Sequence, residues 1–418
     1  MPISTTSEHR ADPLARDRPV ALHSLTYLDE GGDVTVGRSD VDRYVVLPAT
    51  GGALLRRLEE GLTPDQAAGW YERAYGEIVD IDDFLASLEY LGFLRDPGEA
   101  AQSGRPVRWA WLGRAVFSPA GAPCLAAALA ACGIAMLRSP DLLPSYHDLF
   151  FTHYMTVVEL VSIFGQLPFV LLHEMAHALA GRRLGLRTRL SVGRRLDYIV
   201  LVTAMDGLVT VPRRQRYLPM LAGMLADLLV FAILVLVADA TRLPGGALSL
   251  AGAIALACAY LTLLRLAWQF MFYLQTDLYY VFATVLGCVD LQSAARTVLR
   301  DRLRRALRRQ AAVDRSTSPH PRDLAVARWY SWLLLVGWAA SITLLVTAAV
   351  PTAVHMFSTV AGRLLGSGAQ GGAGLADSIV FTLLNLSQIA ILAVIVLRER
   401  RQRTHRGQGS GLDRRRSQ

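Results

Sequence analysis

Residues 155–180 read MTVVELVSIFGQLPFVLLHEMAHALA, an apolar run that holds His173, Glu174 and His177. About 20 mostly apolar residues in a helix cross the roughly 30 Å of bilayer hydrocarbon, so the run is read as a membrane span. On a helix, side chains four positions apart share a face, and both imidazoles can close on one metal ion. A glutamate beside the first histidine then stands where it can activate water, the HExxH arrangement of zinc hydrolases. Ionisable groups inside an apolar span are costly unless something binds them, so the setting favours a functional reading of the pattern.

Working outward, further runs of spanning length lie at Pro119–Leu137, Leu218–Ala238, Ala247–Leu274, Trp332–Val354 and Ile379–Leu397. With the first, they predict about six transmembrane helices. Buried helices of a large soluble enzyme are the alternative, but so many uncharged runs of this length rarely occur together in a soluble chain. The expected fold is mainly α, a polytopic membrane protein preceded by a small α+β winged-helix-like cytoplasmic domain.

The formal net charge is +8, and every side chain in the Lys+Arg total is an arginine. These arginines fall in alternate loops: Arg182, Arg183, Arg187, Arg189, Arg194 and Arg195, then Arg300 to Arg309, then Arg398 to Arg406. The intervening loops Ser139–Tyr154, Asp239–Gly246 and Met356–Asp377 hold almost none. This positive-inside asymmetry predicts a multi-pass protein of the cell membrane with both termini, the 182–216 loop and the 290–328 loop on the cytoplasmic side. The basic balance then reflects topology and contact with the lipid bilayer, and no nucleic-acid partner is expected. Met1–Val20 has no apolar core and is expected to be neither signal peptide nor anchor. Cys124, Cys132, Cys258 and Cys288 lie in or near apolar segments without CxxC spacing and read as small core residues.

Residues 1–19 are read as a disordered N-terminus, 20–96 as a separate head, 97–108 as a linker, 109–397 as the membrane domain and 398–418 as a basic tail. Within the head, extended pieces are expected at Leu22–Leu28, Asp33–Gly37 and Arg43–Leu47. Three helices follow: Gly51–Glu60 entered from Thr50, a run from Thr63-Pro64 to Tyr75, and Ile81–Leu91 after Asp80. Acidic residues outnumber arginines between Asp29 and Glu99, so protein or peptide recognition is expected over phosphate binding. The order of a strand ending Tyr44-Val45-Val46-Leu47, a helix with Leu54-Leu55 and Leu58, then Gly61-Leu62-Thr63 and a helix closing on Leu91-Gly92-Phe93-Leu94 resembles the PqqD-like family. These are recognition elements of ribosomally made, modified peptides, and the resemblance implies a leader peptide bound as an added strand beside the last helix. A structural cap without a ligand is the alternative.

A zinc hydrolase takes three protein ligands and leaves a fourth position for water, so HExxH is one ligand short. Candidates are Glu159, Asp227, Asp277, His153 and His355. If the second span runs outside to inside, His173 and His177 lie towards its cytoplasmic end, and the fourth span ends there too, carrying Asp277. His153 and His355 belong to the opposite face, and Glu159 lies about four turns before His173. Asp227 sits well inside the third span. It is read either as a group that orients a ligand or positions substrate, with Ala222 and Gly223 allowing close helix packing, or as a partner that neutralises Arg265.

Three blocks resemble the site-2-protease-type M50 intramembrane zinc metallopeptidases, in particular the branch described as peptide zinc metalloproteases. They are Leu172-His173-Glu174-Met175-Ala176-His177-Ala178-Leu179-Ala180 with Gly185; Pro212-Arg213-Arg214-Gln215-Arg216 leading to Ala222-Gly223; and Asp277-Leu278-Tyr279-Tyr280 leading to Leu286. The resemblance implies Zn²⁺ held by His173, His177 and Asp277, with Glu174 as general base. The chain departs from the family's pattern at Leu278, where a glycine is usual, and at Gln269 and Phe272, where an Asn-Pro element is usual.

Leu196–Val211 alternates β-branched and aliphatic residues and is read either as an edge that pairs with an extended peptide or as a plain loop. The expected function is a zinc endopeptidase cutting a peptide or membrane-associated substrate, in maturation or leader removal of a ribosomally made peptide. Regulated intramembrane proteolysis of a membrane-anchored regulator is one alternative. A non-proteolytic peptide-binding transport accessory or immunity protein is another.

Overall fold

A computed structural model of the chain describes residues 16–30, 32–38, 41, 43–95, 107–195, 198–288, 291–306, 321–366 and 371–416. Of the segments expected from sequence, residues 1–15 of the N-terminus, 97–106 of the linker, and 290 and 307–320 of the 290–328 loop lie outside the described residues.

Alternating valines start the head: in β2 (Asp33–Arg38), Val34 and Val36 point into the core from one face of the strand. β1 (Thr26–Glu30) and β3 (Arg43–Pro48) flank it in an antiparallel sheet of order β1-β2-β3, with Tyr27 opposite Val36 and Val36 opposite Val45. Helices α1 (Ala49–Glu59), α2 (Pro64–Tyr75) and α3 (Ile81–Tyr90) close over that face through Leu54, Leu55, Leu58, Ala67 and Leu85. Thr63 and Gln66 form the reciprocal capping box of α2, with Pro64 at its first position, and Asp80 caps α3 through the Asp83 N–H. Thr50 does not lead into α1 as the sequence suggests. The helix starts at Ala49, two residues before the expected Gly51, because Pro48 ends β3 at φ −54° and hands the chain straight to helical geometry.

The chain divides into two compact units. One comprises Met1–Leu125, Leu171–Ala226 and Asp277–Cys288; the other comprises Ala126–Val170, Asp227–Thr276 and Val289–Gln418.

Among the described residues, six helical segments are long and apolar enough to cross a membrane: Gly121–Arg138, Met155–Arg183, Arg213–Ala240, Leu250–Trp268, Leu324–Leu364 and Gly372–Ile391. The first is α5. The second is two helices, α6 (Met155–Phe164) and α7 (Leu167–Arg183), meeting at Gly165-Gln166. A short α4 (Ala110–Val116) precedes α5, and a β-hairpin of β4 (Arg187–Arg195) and β5 (Tyr198–Asp206) follows α7. Then come α8 (Arg213–Ala240) and α9 (Leu250–Trp268).

The fourth span is shorter than its apolar run to Leu274. After Trp268 the chain leaves the helix, Gln275 takes a left-handed φ of 54°, and the Thr276 hydroxyl donates to the Gln269 carbonyl at 2.6 Å. Asp277 consequently opens a separate helix, α10 (Asp277–Leu286), and does not lie at the end of the fourth span. After α11 (Leu291–Ala306), the fifth span is longer than its apolar run suggests. α12 (Pro321–Leu344) passes through a π-helical turn at Leu345–Ala349 into α13 (Val350–Leu364), where Pro351 removes one helix donor. α14 runs Gly372–Arg416, so the backbone of the arginine-rich tail continues the last helix.

In the second unit, small residues carry the helix packing: Cys132, Ala135, Ala232, Ala238, Ala255 and Ala259 share one core. Such residues let backbones approach closely where lipid leaves little hydrophobic drive for association. Asp377 accepts the Met155 and Thr156 N–H groups at the start of α6 at 2.8 and 3.1 Å and pairs with Arg363 at 3.2 Å. Beyond the spans, hydrogen bonding to Arg242 holds the Asp141 carboxyl below the usual carboxylate range and ties the loop after α5 to the end of α8.

Candidate metal centre

α7 places His173 and His177 one turn apart, and both rings are buried. Gly185, in the left-handed region at φ 82°, ends that helix with the Leu186 N–H returned to the Gly181 carbonyl. Arg182 Nε donates to Thr188 Oγ1 at 2.8 Å, which folds β4 back against the end of α7.

The Asp277 carboxylate at the start of α10 meets the two rings. His173 Nε2 lies 3.1 Å from Asp277 Oδ2, His177 Nε2 lies 3.2 Å from the same oxygen, and the two Nε2 atoms are 3.2 Å apart. An ion with tetrahedral ligands at about 2.0–2.1 Å holds those ligands about 3.3 Å from one another. The triangle has that size. Among the described residues this is the one group of three His, Cys, Asp or Glu side chains arranged to hold a metal ion.

The hydrogen-bond partner of His177 bears on the same question. His177 Nδ1 lies 2.7 Å from the Pro219 carbonyl oxygen, which can only accept, so Nδ1 carries the hydrogen. A neutral His177 then presents a bare lone pair at Nε2, 3.2 Å from a carboxylate oxygen. Only a proton or a cation between the two removes that repulsion. The carbonyl thus fixes the tautomer in which Nε2 could take a metal ion.

α8 supplies this carbonyl and the space beside it. α7 and α8 touch through Ala176, Ala180 and Ala222, and a β-carbon placed on Gly223 would overlap Nε2 of both histidines. Glycine at 223 therefore keeps open the volume onto which both nitrogens converge. Glu174 is buried beside them but is not one of the three. Thr203 Oγ1 on β5 lies 2.7 Å from Glu174 Oε2 and 2.9 Å from the Glu174 carbonyl oxygen, so the hairpin holds the glutamate from one side.

Asp227 is fully buried and outside this group. Arg265 reaches both of its oxygens, Nε to Oδ2 at 3.0 Å and Nη2 to Oδ1 at 2.7 Å, and extends Nη1 to Gln166 Oε1 at 2.9 Å. That is the charge-neutralising arrangement among the two readings of Asp227. Glu159 accepts from Asn385 and Gln388 at 3.0 and 2.9 Å, the His153 carbonyl accepts from Arg363, and the His355 ring packs on Phe150.

Sequence reasoning did not find Thr203 or the Pro219 carbonyl. Thr203 had a signal, since the alternating 196–211 stretch gives Leu201, Thr203 and Met205 one strand face. The carbonyl had none, being backbone. The chain matches no family model, no curated protein and no solved structure.

Proposed function

We propose that this chain is a membrane-embedded zinc endopeptidase of the site-2-protease, M50 type, acting near the cytoplasmic face on a peptide or membrane-associated substrate. The observation that carries the reading is the His173, His177, Asp277 triangle, with Glu174 buried beside it and excluded from the ligand set. Two imidazole nitrogens and one carboxylate oxygen at tetrahedral spacing suit Zn²⁺ and leave a fourth position free. Bound there, zinc would supply Lewis acidity, polarising a carbonyl and making a water molecule more acidic.

The protein's own groups do the rest. Glu174 is the base that takes a proton from the attacking water and returns it to the leaving nitrogen. Thr203 donates to its carboxylate or its carbonyl, which fixes where Oε2 points. The hairpin offers strand edges to an extended peptide, the conformation a scissile bond needs to enter a narrow site. Pro219 keeps His177 in the ligating tautomer.

The head supports a substrate-selecting role. Its sheet ends in β3, an edge strand, and its surface is acidic, which together with the PqqD-like sequence pattern favours capture of a basic or neutral leader strand. Maturation or leader removal of a ribosomally made, modified peptide is the role this combination fits.

The test is co-expression of the full chain with candidate precursor peptides, followed by mass spectrometry of the products. Cleavage by the wild type that disappears in Glu174→Gln, with zinc retained by the variant, supports the proposal. Equal processing by both proteins sinks it. Zinc binding with no cleavage of a peptide that the head captures would instead favour a peptide-binding transport or immunity role.

A further inference from the structure

α8, the helix that supplies the Pro219 carbonyl and Gly223, begins against the head. Its first four N–H groups have no partner within the helix, and Pro212, immediately before it, offers no side-chain acceptor. The acceptor comes from far away in sequence. Glu30, the last residue of β1, takes the Arg213 N–H on Oε1 at 2.9 Å, while its Oε2 lies 3.3 Å from Arg216 Nη2 and 3.5 Å from Arg213 Nε. A carboxylate here is also favoured by the positive end of the helix dipole.

Arg216 reaches in both directions. Its guanidinium donates to the carbonyls of Val209 and Val211, so the same ion pair holds the turn that follows β5. That turn leads back to Thr203, the residue against Glu174, and α8 leads forward to the histidines. Pro219 comes six residues after Arg213, about 9 Å along the axis, and Gly223 ten residues after it, about 15 Å along the axis. Glu30 is thus bonded at the branch point of the two segments that support the site, although it touches neither histidine.

We infer that Glu30 is a positioning residue of the metal centre: by capping α8 and holding Arg216, the head sets where the Pro219 carbonyl and the Gly223 backbone stand relative to His173 and His177. The head is then part of the site's architecture, and a strain on β1 is felt by the ligands. This rests on the metal reading of the triangle and not on proteolysis, so its test is metal binding.

Full-length protein in detergent is titrated with Zn²⁺ against a chromophoric chelator, and with Co²⁺ while the visible d–d bands are recorded. Glu30→Ala and Arg216→Ala should each weaken zinc binding about three- to tenfold and alter the cobalt bands. Glu30→Gln, which keeps the acceptor for the Arg213 N–H, should recover most of the affinity. Asp29→Ala, which breaks the neighbouring pair with Arg56 inside the head, serves as the control for a merely loosened head and should bind as wild type does. Wild-type affinity and an unchanged cobalt spectrum in both Glu30→Ala and Arg216→Ala overturn the inference, as does an equal loss in Asp29→Ala. A wild-type chain that binds neither ion overturns the metal centre itself, before any variant is compared.

Discussion

At the scale of single residues, the two aspartates of the apolar segments do different work. Asp277 shares Oδ2 between two imidazole nitrogens, whereas both oxygens of Asp227 take bonds from one guanidinium. Asp277→Asn should therefore lower zinc affinity at least about 100-fold, as loss of a ligand or its outer partner typically does, with little change in melting temperature of the metal-free protein. Asp227→Ala leaves the part-buried Arg265 guanidinium without its counter-charge and should cost about 3 kcal/mol of stability, read by denaturation in mixed micelles, while zinc stays bound. Gly223→Ala is a sharper case, because the added methyl would fall where both Nε2 atoms converge. A folded Gly223→Ala protein should bind no zinc by elemental analysis. Zinc at wild-type stoichiometry in that variant would mean that the ion does not sit between the histidines.

At the scale of elements, the site depends on helix ends and breaks more than on helix middles. α7 starts after a break, α10 starts at Asp277, and α8 is capped from another part of the chain. The same device recurs at α6, whose first N–H groups are taken by Asp377, itself paired with Arg363. Asp377→Ala removes a cap and strands a guanidinium that is 8% exposed, so it should destabilise the chain by about 3 kcal/mol. Asp377→Asn, which keeps acceptor oxygen but not charge, should lose less. The comparison is made by thermal unfolding in detergent, and equal melting points for Asp377→Ala and wild type would rule out the cap.

At the scale of the whole molecule, the six helices of spanning length among the described residues, with arginine-rich loops alternating in sequence, predict a topology that can be read chemically. In a cysteine-free background, cysteines at Leu143 or Gly245 should react with a membrane-impermeant maleimide added from outside intact cells. A cysteine at Arg189 should react only after the membrane is opened. Labelling at Arg189 from outside would place the metal centre on the other face and exclude a cytoplasmic substrate.

Much of this was legible in the chain itself. Membrane-length runs are visible because hydrocarbon tolerates few charges over about 20 residues, and His173, Glu174 and His177 are visible because helical spacing alone puts two imidazoles on one face. The head's order of strands and helices followed from Thr63-Pro64, Asp80 and alternating valines, all local signals. Span ends were less legible, since hydropathy does not register where Gln269 and Thr276 turn the chain out of its helix. The pairing of Asp227 with Arg265 rather than with the histidines was undecided, because both arrangements satisfy a buried carboxylate. Only the tertiary structure chose between them. It alone also brought Asp277 across 104 positions to His173, turned the Pro219 carbonyl to His177, set Thr203 on Glu174 and placed Glu30 at the head of α8. Each of these is a contact between segments remote in sequence, fixed by how helices and strands pack, and residue type and spacing carry no record of it.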